Sequence, residues 1–141
     1  MQTYKKKILL KKIKDGGFHI FLKCKLNGID SLVIIDTGAS STVFDSSLEL
    51  INSSQFKKVK IEFHSLNSSD NNTFIGSINS FKIGKFSTKL DIVAFSSLDY
   101  INDLYQSIDL PKVAGIIGSD FLKKYKAIIN YDERSLELKK I

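Results

Sequence analysis

Leu32-Val33-Ile34-Ile35-Asp36-Thr37-Gly38-Ala39-Ser40-Ser41-Thr42-Val43-Phe44 is the stretch on which the fold turns. Four apolar residues, three of them β-branched, read as a buried strand. The strand runs into a carboxylate, a hydroxyl and a glycine before a second short apolar pair, Val43-Phe44. A carboxylate at the end of such a strand is expected near the core, where charge is costly unless it is hydrogen-bonded or shared. Thr37 can donate and accept a hydrogen bond, and Gly38 permits a tight turn beside the acid. Chemistry at Asp36 is one reading. An Asx-turn closing a strand is the other, and the tripeptide alone favours it.

The hairpin upstream aims at this stretch. Phe18–Leu26 alternates, with Phe18, Ile20, Leu22, Cys24 and Leu26 on one face and His19, Lys23 and Lys25 on the other. Phe21 breaks the alternation, which implies cover on both sides where the strand begins. Asn27-Gly28 is a strong hairpin signal and folds this strand back along Ser31–Ile35. Ahead of it lie a short candidate strand, Ile8–Leu10, and a turn at Asp15-Gly16-Gly17.

Downstream, Ser46 or Ser47 can cap a helical turn through Leu50. Val59–Phe63 and Phe74–Ile83 read as strands joined across the polar stretch Ser65–Thr73, either an exposed loop or a cover over a cleft. Phe86–Phe95 is a further strand. Ser96–Asp109 is ambiguous: Leu98, Ile101, Leu104, Tyr105 and Ile108 fit a helical face, while Pro111 stops helix immediately before it. Val113–Ile117 is a short apolar strand. After Gly118, Ser119 or Asp120 can cap a helix running to about Lys126. Ala127–Tyr131 and Leu136–Ile141 complete a mainly β chain with one firm helix.

Composition narrows the function classes. At 141 residues, with no linker or low-complexity run, one domain is expected, residues 1–14 forming a basic N-terminal segment. Cys24 is the only cysteine, so no disulfide framework or cysteine-rich metal site is available, and neither His19 nor His64 has a partner at metal-ligand spacing. Both histidines read as ordinary strand or edge residues. No run approaches the roughly 18 apolar residues of a membrane span, and the lysine-rich start lacks a signal peptide's apolar region. A cytoplasmic protein without membrane contact is the expectation. The formal charge of +6 comes from lysines crowded at the start and around Lys57–Lys60, while Arg134 is the sole arginine. Arginine is the usual phosphate and base reader, so a solvated surface explains these lysines better than nucleic-acid binding.

Together, Ile35-Asp36-Thr37-Gly38-Ala39-Ser40 and Gly115-Ile116-Ile117-Gly118-Ser119-Asp120-Phe121-Leu122 resemble the retropepsin-like aspartic proteases. The likeness is greatest to small bacterial members with one Asp-Thr-Gly-Ala-Ser per chain, and it spans roughly Phe18 to Leu138. It implies a closed acid-protease-like β barrel with one short C-terminal helix, active as a symmetric homodimer, cutting a polypeptide without a cofactor or metal. The dimer would form through the Asp-Thr-Gly loops and the terminal strands. Asp36 looks like the catalytic carboxylate, and Thr37 like the hydroxyl that reaches the partner loop. Gly38 looks like the glycine beside substrate, and Ala39 and Ser40 like subsite residues. Gly118 looks like the glycine that lets the second loop pack on the turn. By the same resemblance Asp120 is structural, a cap or hydrogen-bonding residue.

The chemistry gives its own reason for two copies. Activating water while polarising a carbonyl takes one ionised and one protonated carboxyl, and the chain holds a single Asp-Thr-Gly. Two departures from the retroviral pattern stand out. Ser40 and Ser119 occupy positions where many retroviral enzymes pair an acid with an arginine, and Ser65–Thr73 contains no glycine for a flap tip. A non-catalytic peptide-binding or dimerisation module on the same fold is the alternative function.

Overall fold

A computed structural model describes residues 1–48 and 73–141. The chain runs through β1 (Gln2–Lys7), β2 (Leu9–Lys12), β3 (Phe18–Leu26), β4 (Ile29–Ile35), β5 (Val43–Asp45), β6 (Phe74–Ile83), β7 (Phe86–Ser96), α1 (Asp99–Ser107), β8 (Gly115–Ile117), α2 (Ser119–Lys124), β9 (Ile128–Asn130) and β10 (Ser135–Lys140). The expected strand Val59–Phe63, most of Ser65–Thr73 and the turn through Leu50 lie outside the described residues.

Seven strands form one sheet in the order β2-β3-β4-β8-β5-β7-β6. β6 also pairs with β3, matching Lys25 with Lys82 and Leu26 with Phe81, which closes six of them into a barrel. Closure removes the open edges that a sheet otherwise presents. The Asn27-Gly28 hairpin forms as expected, both residues at positive φ, and sets the β3–β4 register from Leu26↔Ile29 to Ile20↔Ile35. β8 lies parallel to β4 and antiparallel to β5, so Ile35 sits beside Ile117 and Phe44 beside Gly115.

The inward faces supply the main core. Leu22, Val33, Ile35, Phe44, Phe81, Phe86, Phe95, Ile117 and Phe121 are buried within it. Its aromatic rings meet edge to face, Phe81 on Phe121 at 5.5 Å and Phe86 on Tyr125 at 4.9 Å. Cys24 is also buried here, and burial pushes its thiol up to about 12. The thiolate is the reactive form, so Cys24 should react with an alkylating reagent at pH 8 about 1000-fold more slowly in the native protein than in urea. Equal labelling rates would mean that the strand is not packed as described.

The ambiguous stretch after β7 is a helix. α1 lays Leu98 and Tyr105 on the outer face of the barrel, against Phe21 and Ile34 with Val113 and Ile116. This second cluster is why Phe21 departs from the alternation of its strand. Asn102 ties the helix down: its Nδ2 donates to the Val113 carbonyl at 3.1 Å, and the Val113 N–H donates to its Oδ1 at 2.8 Å. Both side-chain groups are satisfied in the interior, which offsets the cost of burying an amide.

The lysine-rich start is part of the fold rather than a loose segment. β1 pairs along its whole length with β10, from Gln2↔Lys140 to Lys7↔Ser135, and β9 takes the other edge of β10. Alternation explains it: Tyr4 and Lys6 turn inward while Lys5 and Lys7 face water, and Tyr4 meets Phe86 edge-on at 5.6 Å. Counting charge hid a period-two pattern.

Candidate active site

β4 and β8 run side by side and deliver two loops to the same end of the barrel. Where β4 ends, the Asp36 N–H still donates to the Ile117 carbonyl at 2.9 Å, so the acid begins its turn on the β8 scaffold. The turn then closes on itself. The Ala39 N–H donates to the Asp36 carbonyl at 3.1 Å, and the Gly38 N–H donates to Asp36 Oδ1 at 3.0 Å. That second bond fixes one carboxylate oxygen against the turn.

Asp36, Thr37 and Gly38 are exposed in the single chain. The expectation of an acid held near the core is therefore corrected: the apolar strand stops at Ile35, and the turn lifts the carboxylate clear of the barrel. Gly38 also earns a different explanation. Its φ is not in the left-handed region, but a Cβ there would stand 3.3 Å from Asp36 Oδ1. Space beside the carboxylate, rather than backbone freedom, is what glycine provides.

The second loop is clamped onto the first. The Ser119 N–H donates to the Ala39 carbonyl at 2.7 Å. The Gly118 N–H donates to Thr42 Oγ1 at 3.0 Å, and that hydroxyl donates to Asp120 Oδ1 at 2.7 Å. The Thr42 N–H completes the clamp on Asp120 Oδ2 at 3.0 Å. Asp120 Oδ1 also accepts the Phe121 N–H at 2.8 Å. Gly118, not Ser119 or Asp120, is the N-cap of α2, and no side chain caps that helix. Asp120 is a structural acceptor facing Thr42. Sequence reading missed Thr42, whose signal is a lone hydroxyl residue between the turn and the apolar pair Val43-Phe44.

Ala39 packs against the α1 cluster, while Ser40 and Ser119 are exposed. Beside the turn, Tyr105 of α1 is fully buried with its hydroxyl 2.7 Å from His19 Nδ1. Burial, then the charge of Asp36, then Tyr100, push the Tyr105 phenol up to about 12. Tyr100 is raised as well, by burial and then by Asp36. The sequence placed Tyr105 only on the face of an unassigned helix and gave Tyr100 no role, because the stretch that carries them was ambiguous.

Among the described residues no three His, Cys, Asp or Glu side chains stand together as metal ligands. No described helix is long and apolar enough to cross a membrane. A large open groove of about 1210 Å³ lies away from Asp36, along Lys23, Lys25, Leu32 and Lys112.

A family model described as aspartyl protease matches residues 22–121. The crystal structure of a retropepsin-like aspartic protease from Rickettsia conorii is similar, with a TM-score of 0.59 and 20% identity over 97% of this chain and 92% of that one. The retroviral protease-like domain of Ddi1 from Leishmania major is similar too, at a TM-score of 0.52 and 16% identity, over 87% of this chain and 90% of that one. None of the curated proteins matches.

Proposed function

Because this chain belongs to the aspartyl protease family and shares the retropepsin-like fold, we propose that it is an endopeptidase whose catalytic pair is Asp36 and Asp36 of the partner subunit. The observation that carries this reading is the exposed carboxylate on a braced turn: a chain with one such acid presents half of a two-acid site. Two copies related by a two-fold axis bring the halves together in a closed, self-complementary contact.

The chemistry follows from that pairing. One Asp36 is ionised and takes a proton from a water molecule held between the two; the other is protonated and donates to the scissile carbonyl. Water adds to the carbonyl carbon, and the tetrahedral species collapses as the amide nitrogen is protonated and leaves. The pair shares one proton and titrates as a unit. Gly38 N–H keeps the carboxylate oriented, and Thr37 reaches the partner's turn. Gly38, Ala39, Ser40 and Gly118 border the bound peptide. β10 already has a partner on each edge, which leaves the Asp-Thr-Gly turns and the outer edges of β1 and β9 for the second subunit.

Incubation with an unstructured polypeptide at mildly acidic pH should give discrete fragments. Cleavage should be blocked by a statin-type mimic of the tetrahedral species, and the rate per chain should fall on dilution as dimers separate. A protein shown by sedimentation to be dimeric, yet cutting nothing between about pH 4 and 7, would exclude the enzyme and leave the peptide-binding module.

A further inference from the structure

The part of the barrel away from the Asp36 turn is basic. On β3, Lys23 and Lys25 are two residues apart and both exposed, so they stand on the outer face of the sheet. Where β6 closes the barrel, Lys82 is the direct rung partner of Lys25. Like charges placed directly opposite destabilise a sheet. The register of closure is held by the buried pair Leu26 and Phe81, so the outward rung could carry any polar residue. From β1, the Lys6 stem lies over the β6–β7 turn, its Cδ 3.4 Å from where a Cβ on Gly84 would stand. With Lys112, ahead of β8, these five lysines line the open groove of about 1210 Å³.

Acids do not balance them. Asp30 meets Lys25 at 3.7 Å, but both side chains are exposed and such a pair holds little. Asp45 is buried in the groove wall, its carboxylate already accepting from the Ser47 hydroxyl at 2.9 Å and from the N–H groups of Ser47 and Leu98. Among the described residues, Lys6, Lys23, Lys82 and Lys112 have no acidic partner.

We propose that this groove docks an acidic, extended segment of the polypeptide substrate, remote from the bond that is cut; that the occupant is substrate rests on the endopeptidase reading above. Charge complementarity selects the occupant. The volume exceeds the roughly 300–1,000 Å³ usual for a small-molecule pocket, and an open groove suits a chain passing through. Ile29, Leu32 and Pro111 lie among the lysines and offer surface to a peptide's apolar side chains. Among the described residues the lining holds no aromatic ring to stack on bases and no arginine to fork onto phosphate, so nucleic acid fits it poorly. Position fits as well. Leu32 pairs with Lys23 and Asp30 with Lys25, four and six residues before Asp36. At about 3.3 Å per residue these lysines stand roughly 13 to 20 Å from the acid. A docked chain therefore needs about six or more further extended residues to reach the Asp36 turn, which docking leaves clear. The groove acts on capture rather than chemistry, raising the association rate of an acidic segment.

Binding is read on the whole chain carrying Asp36→Asn, which cannot consume the probe. The probe is a fluorescein-labelled peptide of about ten residues alternating glutamate and leucine, followed by anisotropy at about 0.05 M salt. Its glutamine counterpart, and a single-stranded oligonucleotide of equal length, should bind about tenfold more weakly or worse. Lys25→Glu with Lys82→Glu should weaken the acidic peptide by about tenfold or more. Lys82→Glu alone should weaken it while holding or raising Tm, because opposite charges then face each other across the rung. In turnover, appending the acidic segment to a cleaved polypeptide should lower KM about tenfold with kcat unchanged, and the double variant should erase that gain. Equal binding of the acidic and glutamine peptides, tighter binding of the oligonucleotide, an unmoved affinity in the double variant, or a KM indifferent to the acidic segment overturns the inference and leaves the endopeptidase reading standing. A protein that binds the acidic peptide through these lysines yet cuts nothing keeps the docking groove and removes the endopeptidase reading instead.

Discussion

Asp36→Asn is expected to abolish peptide hydrolysis, by about 10⁴-fold or more, while leaving fold and dimer intact. The substitution is nearly isosteric, and the amide oxygen can still accept the Gly38 N–H that braces the turn. What disappears is the ability to carry and exchange a proton, in both copies at once. Because Asp36 is exposed in the single chain, no buried charge is removed and the melting temperature should change by only a few degrees. Mixing gives a sharper result than the single variant. If wild-type and Asp36→Asn subunits exchange freely at equal concentration, only wild-type pairs are active, and activity per total chain should fall to about a quarter. A site contained in one chain would retain about a half. Full activity in the pure variant would remove Asp36 from the chemistry altogether.

How much of this was readable beforehand depended on the range of the signal. The β3–β4 hairpin was legible because Asn27-Gly28 and the alternation of Phe18–Leu26 are local and agree with one another. The α2 helix was legible from its polar start after Gly118 and its apolar side, whereas the closed barrel followed only through the resemblance, since β4–β8 pairing joins residues about eighty positions apart and leaves no local pattern. β1 was read as charge because its alternation is carried by Tyr4 and the lysine stems, and long lysine side chains cover apolar surface while keeping their ammonium groups in water. α1 stayed ambiguous because its buried face includes Asn102, a polar residue whose role depends on Val113 eleven positions later. The same dependence on distant partners hid the second half of the site. Asp36 announces itself as an acid at the end of an apolar strand, whereas Thr42 acquires its role only from what the fold sets beside it.

Gly118→Ala is expected to damage both stability and activity. A Cβ at this position would lie 2.7 Å from the Ala39 carbonyl oxygen and 2.9 Å from the carbonyl carbon and oxygen of Ser41. All three are backbone atoms, so no rotamer change can relieve the contact. The backbone on both sides is held: Ser119 N–H is bonded to that same Ala39 carbonyl, and Gly118 N–H to Thr42 Oγ1. Either the two loops separate, breaking the clamp on Asp120, or the Asp36 turn shifts. Overpacking of this kind costs about 3 kcal/mol, a fall of roughly 10 °C in Tm for a domain of this size. At a temperature where the variant remains folded, displacement of the turn should lower kcat/KM by about 100-fold, since an error near 1 Å at a reacting group is enough. Gly17→Ala is the control: its φ is ordinary and a Cβ there meets nothing within 4 Å, so Tm and activity should match wild type. If Gly118→Ala behaved like Gly17→Ala, the second loop would not be packed against the Asp36 turn, and the site would have to be built some other way.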